Sequence, residues 1–181
     1  MYRSHGTPDL VWDEVKEKFD PDSMGALPDL HVPDTTADDW QALLDLVVES
    51  GWQHEYSEGG TTLAVPSAAH VLARPHDAEC PQLRVRPTQD MLAIFRFHAD
   101  EEIDFDMDLR EIQGQDRLDA FCGFLRSIGR HLGKPVLMCP EGVDDSPVLG
   151  FDPTLGRVVV LPDRAVGSGG GAPGQADTVG G

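Results

Sequence analysis

The strongest constraint on the fold lies in residues 91–109, where two strand-like runs follow each other. Residues 91–97 form a largely apolar run typical of a buried strand, and residues 102–109 then alternate without a fault between acidic and apolar side chains. Successive side chains of a β-strand point to opposite faces of a sheet. The alternation therefore predicts a strand with one buried apolar face and one face of carboxylates. The polar residues 98–101 between the two runs predict the turn of a hairpin.

Two other segments have the periodicity of helices. In residues 38–50, apolar side chains recur at the spacing of one helix face, and Thr36 with Asp39 forms a capping-box-like pair before them. In residues 116–132, a second apolar stripe ends just before Gly133, which is typical of a helix C-terminus. Both segments predict helices that bury one face and expose the other.

The remaining apolar runs are short and are separated by glycine, proline and polar turns, which is typical of short strands. They predict strands at residues 52–56, 61–65, 83–86, 136–139 and 157–161. Runs of strands between helices favour an α+β fold. We predict a single α+β domain with a mostly antiparallel sheet of about five to six strands and two main helices packed on one face. The other face of the sheet would be left to solvent or to a partner.

Composition divides the chain into three regions. Residues 1–35 are rich in Pro, Asp and Gly and predict an acidic N-terminal arm with a short helix capped by Thr7 and an extended connector at residues 24–33. Residues 36–163 contain the periodic segments and predict the α+β globular domain. Residues 164–181 are dominated by Gly, Ser, Ala and Pro and predict a flexible tail.

Net charge excludes two classes of partner. The chain has 32 Asp plus Glu against 14 Lys plus Arg, a formal net charge of −18. Nucleic acids and anionic membrane surfaces are bound through clustered Lys and Arg, so we expect neither as a partner. There is no apolar stretch long enough to span a membrane and no apolar region of a secretory signal near the first residue. These features favour a cytoplasmic protein.

The four carboxylates of the alternating strand are the main candidate site. They are Glu102, Asp104, Asp106 and Asp108, with Asp100 and Glu101 at the rim. Residues two apart on a strand lie about 6.5–7 Å from each other, so the four predict a row of negative charge that attracts a basic protein. The alternative is a solvated face whose charges only prevent aggregation through sheet edges.

Metal binding has weaker support in the sequence. The spacing of Asp104, Asp106 and Asp108 resembles the start of an EF-hand loop, but Leu109 stands where that loop needs Gly and Gln115 where it needs Glu. The candidate ligands for a soft metal are His70, His76 and Cys80, but their spacing is not a familiar zinc pattern. We predict no cofactor.

Catalytic motifs are few. The chain has neither a Gly-rich phosphate loop nor the Gly-x-Ser-x-Gly turn of a nucleophilic serine. Cys122 lies on the apolar stripe of a predicted helix, where thiols act as small apolar side chains. The odd number of widely spaced cysteines indicates reduced thiols rather than a disulfide framework. Acid–base chemistry by Arg96 and His98 with the rim carboxylates stays open.

In size, charge and order of elements, residues 36–162 resemble immunity proteins, which neutralise basic toxin enzymes, and the dimeric chaperones of secreted effectors. The resemblance implies a non-enzymatic protein that engages a basic partner through its acidic strand face. One alternative is a metal- or small-ligand-binding protein or an enzyme that uses the region of His70, His76 and Cys80 or the acidic row. Another is a homodimer formed through the arm and a sheet edge.

Overall fold

The chain folds into a layer of helices and a layer of strands. The computed structural model describes residues 6–75 and 77–163, so the predicted tail at 164–181 lies outside the described residues. The α-helices are α1 (Trp12–Val15), α2 (Pro21–Met24), α3 (Ala37–Glu49), α4 (Ala68–Leu72) and α5 (Gln115–Leu132). The strands are β1 (Asp29–Pro33), β2 (Gln53–Glu58), β3 (Thr61–Leu63), β4 (Gln82–Thr88), β5 (Met91–Arg96), β6 (Glu102–Met107), β7 (Val136–Cys139), β8 (Leu149–Asp152) and β9 (Arg157–Val160).

The two long helices confirm the periodicity of the sequence. The backbone N–H of Asp39 donates to Oγ1 of Thr36, and the carboxylate of Asp39 accepts from the backbone N–H of Thr36, so the predicted capping box starts α3. Helix α5 ends at Leu132 and is capped by Gly133, whose φ of 65° is in the left-handed region that favours glycine. In the described part, neither α5 nor another helix has both the length and the apolar character required to cross a membrane.

All described strands form one antiparallel sheet in the order β3-β2-β4-β5-β6-β1-β7-β8-β9. The predicted α+β class and antiparallel sheet are confirmed, including the hairpin of β5 and β6. The expected count of five to six strands is too low, since the structure has nine. Two strands lie outside the predicted strand segments: β1, whose stretch the sequence predicts as an extended connector, and β8, whose four residues are too short for period-two alternation to mark them.

Strand β1 lies in the middle of the sheet and comes from the stretch that the sequence predicts as an extended connector. Leu30 pairs with Phe105 of β6 on one side and with Met138 of β7 on the other. Its proline, Pro33, is the last residue of the strand, where a missing backbone N–H costs little. The extended conformation expected for this stretch is therefore that of a sheet strand.

The residues before β1 pack on the helical side of the molecule. The expected helix capped by Thr7 is absent from the described arm, where α1 begins only at Trp12 and a 3-10 turn spans Lys16–Phe19. The ring of Phe19 is fully buried and meets the ring of Phe121 of α5 edge to face, with centroids 5.5 Å apart. Aromatic burial thus fixes this part of the arm on the domain.

Helices α3 and α5 cover one face of the sheet. Side chains at alternate positions of the central strands are buried on this face, among them Leu30, Phe95 and Phe105. The positions between them on β1, β5 and β6 remain partly exposed or exposed, and we call these positions the open face. The sheet therefore presents one apolar face to the helices, and its open face contains the carboxylates of β6 beside Leu92 and Ile94 of β5.

Candidate functional site

The acidic strand lies with its carboxylates outward. Strand β6 buries Ile103, Phe105 and Met107 and places Glu102, Asp104 and Asp106 on the open face. Asp108 follows directly after the strand and is partly exposed. The alternation of acidic and apolar residues is thus a true two-faced strand, and its acidic side contains the residues predicted as a binding row.

Two of the four predicted carboxylates are engaged by arginines of the same chain. Nη1 of Arg96 on β5 forms an ion pair with Oδ2 of Asp106. Nη2 of Arg110 donates to Oδ2 of Asp108 at 2.7 Å, and the backbone N–H of Arg110 donates to the same carboxylate. The hydrogen bonds from Arg110 lower the pKa of Asp108. Much of the charge of these two carboxylates is therefore balanced within the protein.

Asp104 has a different environment from its neighbours in the row. Its cross-strand partners are Arg96 on β5 and His31 on β1, and its Oδ2 lies 3.6 Å from Nε2 of His98. Burial raises the pKa of Asp104, with Glu102 adding to this effect and His98 opposing it. Ionisation of Asp104 therefore lowers the free energy of unfolding.

Substitution of Asp104 and of Asp106 by asparagine should change stability in opposite directions. Because the folded pKa of Asp104 is raised, its charge destabilises the folded state, and D104N should raise the melting temperature at neutral pH. This gain is full above the folded pKa and should vanish as the pH falls below the ordinary value of 3.8. D106N leaves Arg96 without its carboxylate and should cost about 1 kcal/mol. Thermal melts of D104N and D106N over a pH series measure both effects. A lower melting temperature of D104N than of the wild type at neutral pH would show that the charge of Asp104 does not destabilise the folded state.

The turn between β5 and β6 is fixed by hydrogen bonds to its backbone. Nε1 of Trp40 donates to the carbonyl of Ala99 at 2.9 Å. Oγ1 of Thr35 donates to the carbonyl of Asp100 at 2.7 Å, and the backbone N–H of Thr35 donates to that of Glu101 at 3.0 Å. Thr35 is a buried polar residue, and these bonds satisfy it. Sequence reasoning missed Thr35, because a threonine before a helix cap carries no signal of a distant partner.

This turn presents three adjacent carboxylates outward. We call Asp100, Glu101 and Glu102 the acidic turn; all three side chains are exposed. None of them is in an ion pair with a residue of the described chain. In contrast to Asp106 and Asp108, the acidic turn therefore retains its negative charge for an external cation.

A cavity of about 670 Å³ adjoins the acidic turn. Helix α4 and the segment that follows it form one wall, and the end of β5 with the turn forms another. The polar side chains along it are those of Arg74, Glu79, Cys80, His98, Asp100 and Glu101. The structure thus places a concave site next to the acidic side of the open face, which sequence reasoning could not locate.

Three residues from different parts of the chain meet at the edge of this cavity. Sγ of Cys80 lies 3.9 Å from Nδ1 of His98, and the other ring nitrogen faces Asp104. Burial raises the pKa of the Cys80 thiol. The sequence indicates each of these three residues as a candidate for a different reason, but it does not predict that they are in contact.

The predicted metal ligands are only partly within the described chain. His70 is exposed on α4, Cys80 lies beside His98, and His76 is outside the described residues. Residues 6–75 and 77–163 contain no group of three or more His, Cys, Asp or Glu side chains arranged to hold a metal ion. Cys122 is buried as predicted, and burial raises its pKa to about 12, which suits a packing role.

Comparison with models of protein families, with curated proteins and with solved structures finds no match to this chain. Its function therefore has to be inferred from the chemistry of its own surface. The features that point to a function are the acidic turn, the cavity beside it and the thiol at the edge of that cavity.

Proposed function

We propose that this chain is a binding protein that engages a basic segment of another protein at the acidic turn and the adjoining cavity. Three adjacent exposed carboxylates without an ion-pair partner in the described chain carry the proposal. Such a role is that of an immunity-like or chaperone-like protein in the cytoplasm. A homodimer is compatible with it.

The backbone of the acidic turn supports this role because it is already ordered. Trp40 and Thr35 hold the carbonyls of residues 99–101, so little conformational entropy is lost when a partner binds. The carboxylates repel one another at this spacing, and a cationic side chain placed between them relieves that repulsion. Charge complementarity of this kind mainly accelerates association and selects the partner.

The structure also changes which members of the predicted row we assign to binding. Glu102 and Asp104 remain in the proposed surface, together with Asp100 and Glu101 of the rim. Asp106 and Asp108 are proposed to contribute less, since Arg96 and Arg110 already compensate their charge. Glu79, which lines the cavity, adds a further carboxylate for a Lys or Arg side chain that enters it.

A pair of double variants with equal net charge tests the proposal. E101Q/E102Q removes two charges from the acidic turn, and D144N/D145N removes two from an exposed loop after β7. Association with an arginine-rich peptide at low salt should slow about five-fold for E101Q/E102Q and much less for D144N/D145N. Stopped-flow fluorescence measures both rates. Equal slowing of the two variants would show that only the total charge attracts the peptide.

The same variants can be used to identify the natural partner. Pull-down from the native host at low ionic strength should capture a basic protein with the wild-type chain and with D144N/D145N. Capture should weaken when salt rises from about 0.05 M to about 0.5 M, because the screening length falls well below the size of the site. If E101Q/E102Q captures the same protein as well as the wild-type chain does, the interface does not include the acidic turn.

A further inference from the structure

A thiol, an imidazole and a carboxylate stand in line at the edge of the cavity. Sγ of Cys80 lies 3.9 Å from Nδ1 of His98, and Nε2 of His98 lies 3.6 Å from Oδ2 of Asp104. Asp104 is within the paired strand β6, whereas Cys80 comes just before β4 and His98 just after β5, next to the paired residues Gln82 and Arg96. Cys80 and His98 both line the cavity of about 670 Å³.

We propose that Cys80 is an acyl-accepting nucleophile, with His98 as its general base and Asp104 as the residue that orients the imidazole. The substrate class is an ester or thioester whose carbonyl carbon reaches Sγ from the cavity. This activity goes beyond the binding of a basic partner and does not depend on it. The order of groups is that of a general nucleophile–base–orienter arrangement, in which apo distances are often longer than hydrogen bonds.

Acyl transfer to Cys80 requires no group other than the thiol, the imidazole of His98 and the substrate. Nδ1 of His98 accepts the thiol proton as Sγ of Cys80 forms a bond to the carbonyl carbon. The bond from that carbon to the leaving oxygen or sulfur then breaks, and the leaving group takes the proton from His98. A thioester on Cys80 and a free alcohol or thiol result. Water can attack the thioester with His98 again as base, which releases the acid and restores the thiol.

The surroundings of Cys80 explain why a base is needed. Burial, with the nearby charge of Asp104, raises the pKa of the thiol, so little thiolate exists at neutral pH without proton removal. With its proton on Nε2, which faces Asp104, the imidazole of His98 would have Nδ1 free to accept from Cys80. Asp104 thereby selects the tautomer that can accept the thiol proton.

A second residue of the cavity acts on the thiol. Arg74 lines the cavity, and its Nη1 forms an ion pair with Oε2 of Glu58 at 2.7 Å. Arg74 also lies close enough to Cys80 for its charge to act on the thiol.

Reaction of the full chain with p-nitrophenyl acetate tests whether Cys80 is the nucleophile. The wild-type protein should release p-nitrophenolate with acetyl transfer to Cys80, which mass spectrometry of peptides locates. Cys122 and Cys139 are buried and serve as internal controls that should stay unmodified. C80S should lose the acetylation. D144N/D145N should acylate like the wild type.

Variants of the other two residues test their roles. H98Q should slow acylation about 100-fold or more, and added imidazole should restore part of the rate to H98G. D104N should slow acylation in the wild-type background but not in H98Q, because Asp104 acts through His98. Acetylation of Cys80 at the wild-type rate in H98Q, or equal acetylation of the buried cysteines, would overturn the proposal.

Discussion

Replacement of Gly129 by alanine should lower the melting temperature by about 6 °C, although alanine favours helix more than glycine does. A Cβ atom at Gly129 in α5 would overlap the ring of Phe151 on β8, since this glycine is where the helix rests on the sheet. Phe151 is itself buried, so a shift of its ring disturbs the packing of the core. Overpacking of this kind should cost about 2 kcal/mol more than the gain in helix propensity.

Gly123 in the same helix is a matched control. The nearest atom to a Cβ there is Nη2 of Arg126 at 3.6 Å, an ordinary contact with a flexible side chain. G123A should therefore be neutral or more stable by up to about 1 kcal/mol. Denaturant unfolding of both variants measures the free energies. A G129A protein as stable as G123A would mean that α5 does not rest on β8 through this position.

Trp40→Ala should have the largest effect on stability, a loss of about 4 kcal/mol. The indole is fully buried and packs against the ring of Phe97, with centroids 4.6 Å apart. Its Nε1 also donates to the carbonyl of Ala99, so its removal leaves a cavity and an unsatisfied carbonyl. Chemical denaturation of W40A should show a clear decrease in the midpoint.

W40F separates the packing of Trp40 from its hydrogen bond. Phenylalanine retains most of the contact with Phe97 but cannot donate to Ala99, so we expect a loss of only about 1 kcal/mol. Hydrogen exchange in residues 99–101 should increase in W40F, and association with the arginine-rich peptide should slow, since the acidic turn becomes less ordered. Unchanged exchange in this turn would show that Thr35 alone is sufficient to fix it.

Helices α3 and α5 could be predicted nearly to the residue, because caps and periodicity are local in sequence. The alternation in β6 was equally clear, since eight consecutive positions obey it. Strand β1 was recognised only as extended chain, because five residues with a terminal proline do not reveal two pairing partners far along the sequence. What sequence could not supply was which extended segments are neighbours.

The site was predictable only in part for the same reason. The row of carboxylates follows from strand geometry, but the ion pair of Asp106 with Arg96 depends on the register of the β5–β6 hairpin. The contact of Cys80 with His98 depends on the pairing of β4 with β5, which no local pattern encodes. Long-range pairing thus decides which carboxylates have no ion-pair partner in the described chain and which thiol lies beside an imidazole.

The position of β1 has a consequence for how the protein is made. Synthesis proceeds from the N-terminus, so β1 leaves the ribosome well before β6 and long before β7, its two neighbours. Until then its backbone N–H and carbonyl groups have no partner in the sheet. Asp29 and His31 on its outer side make it a poor template for another chain in the interval. The centre of this sheet must be completed late, around a strand that is translated early.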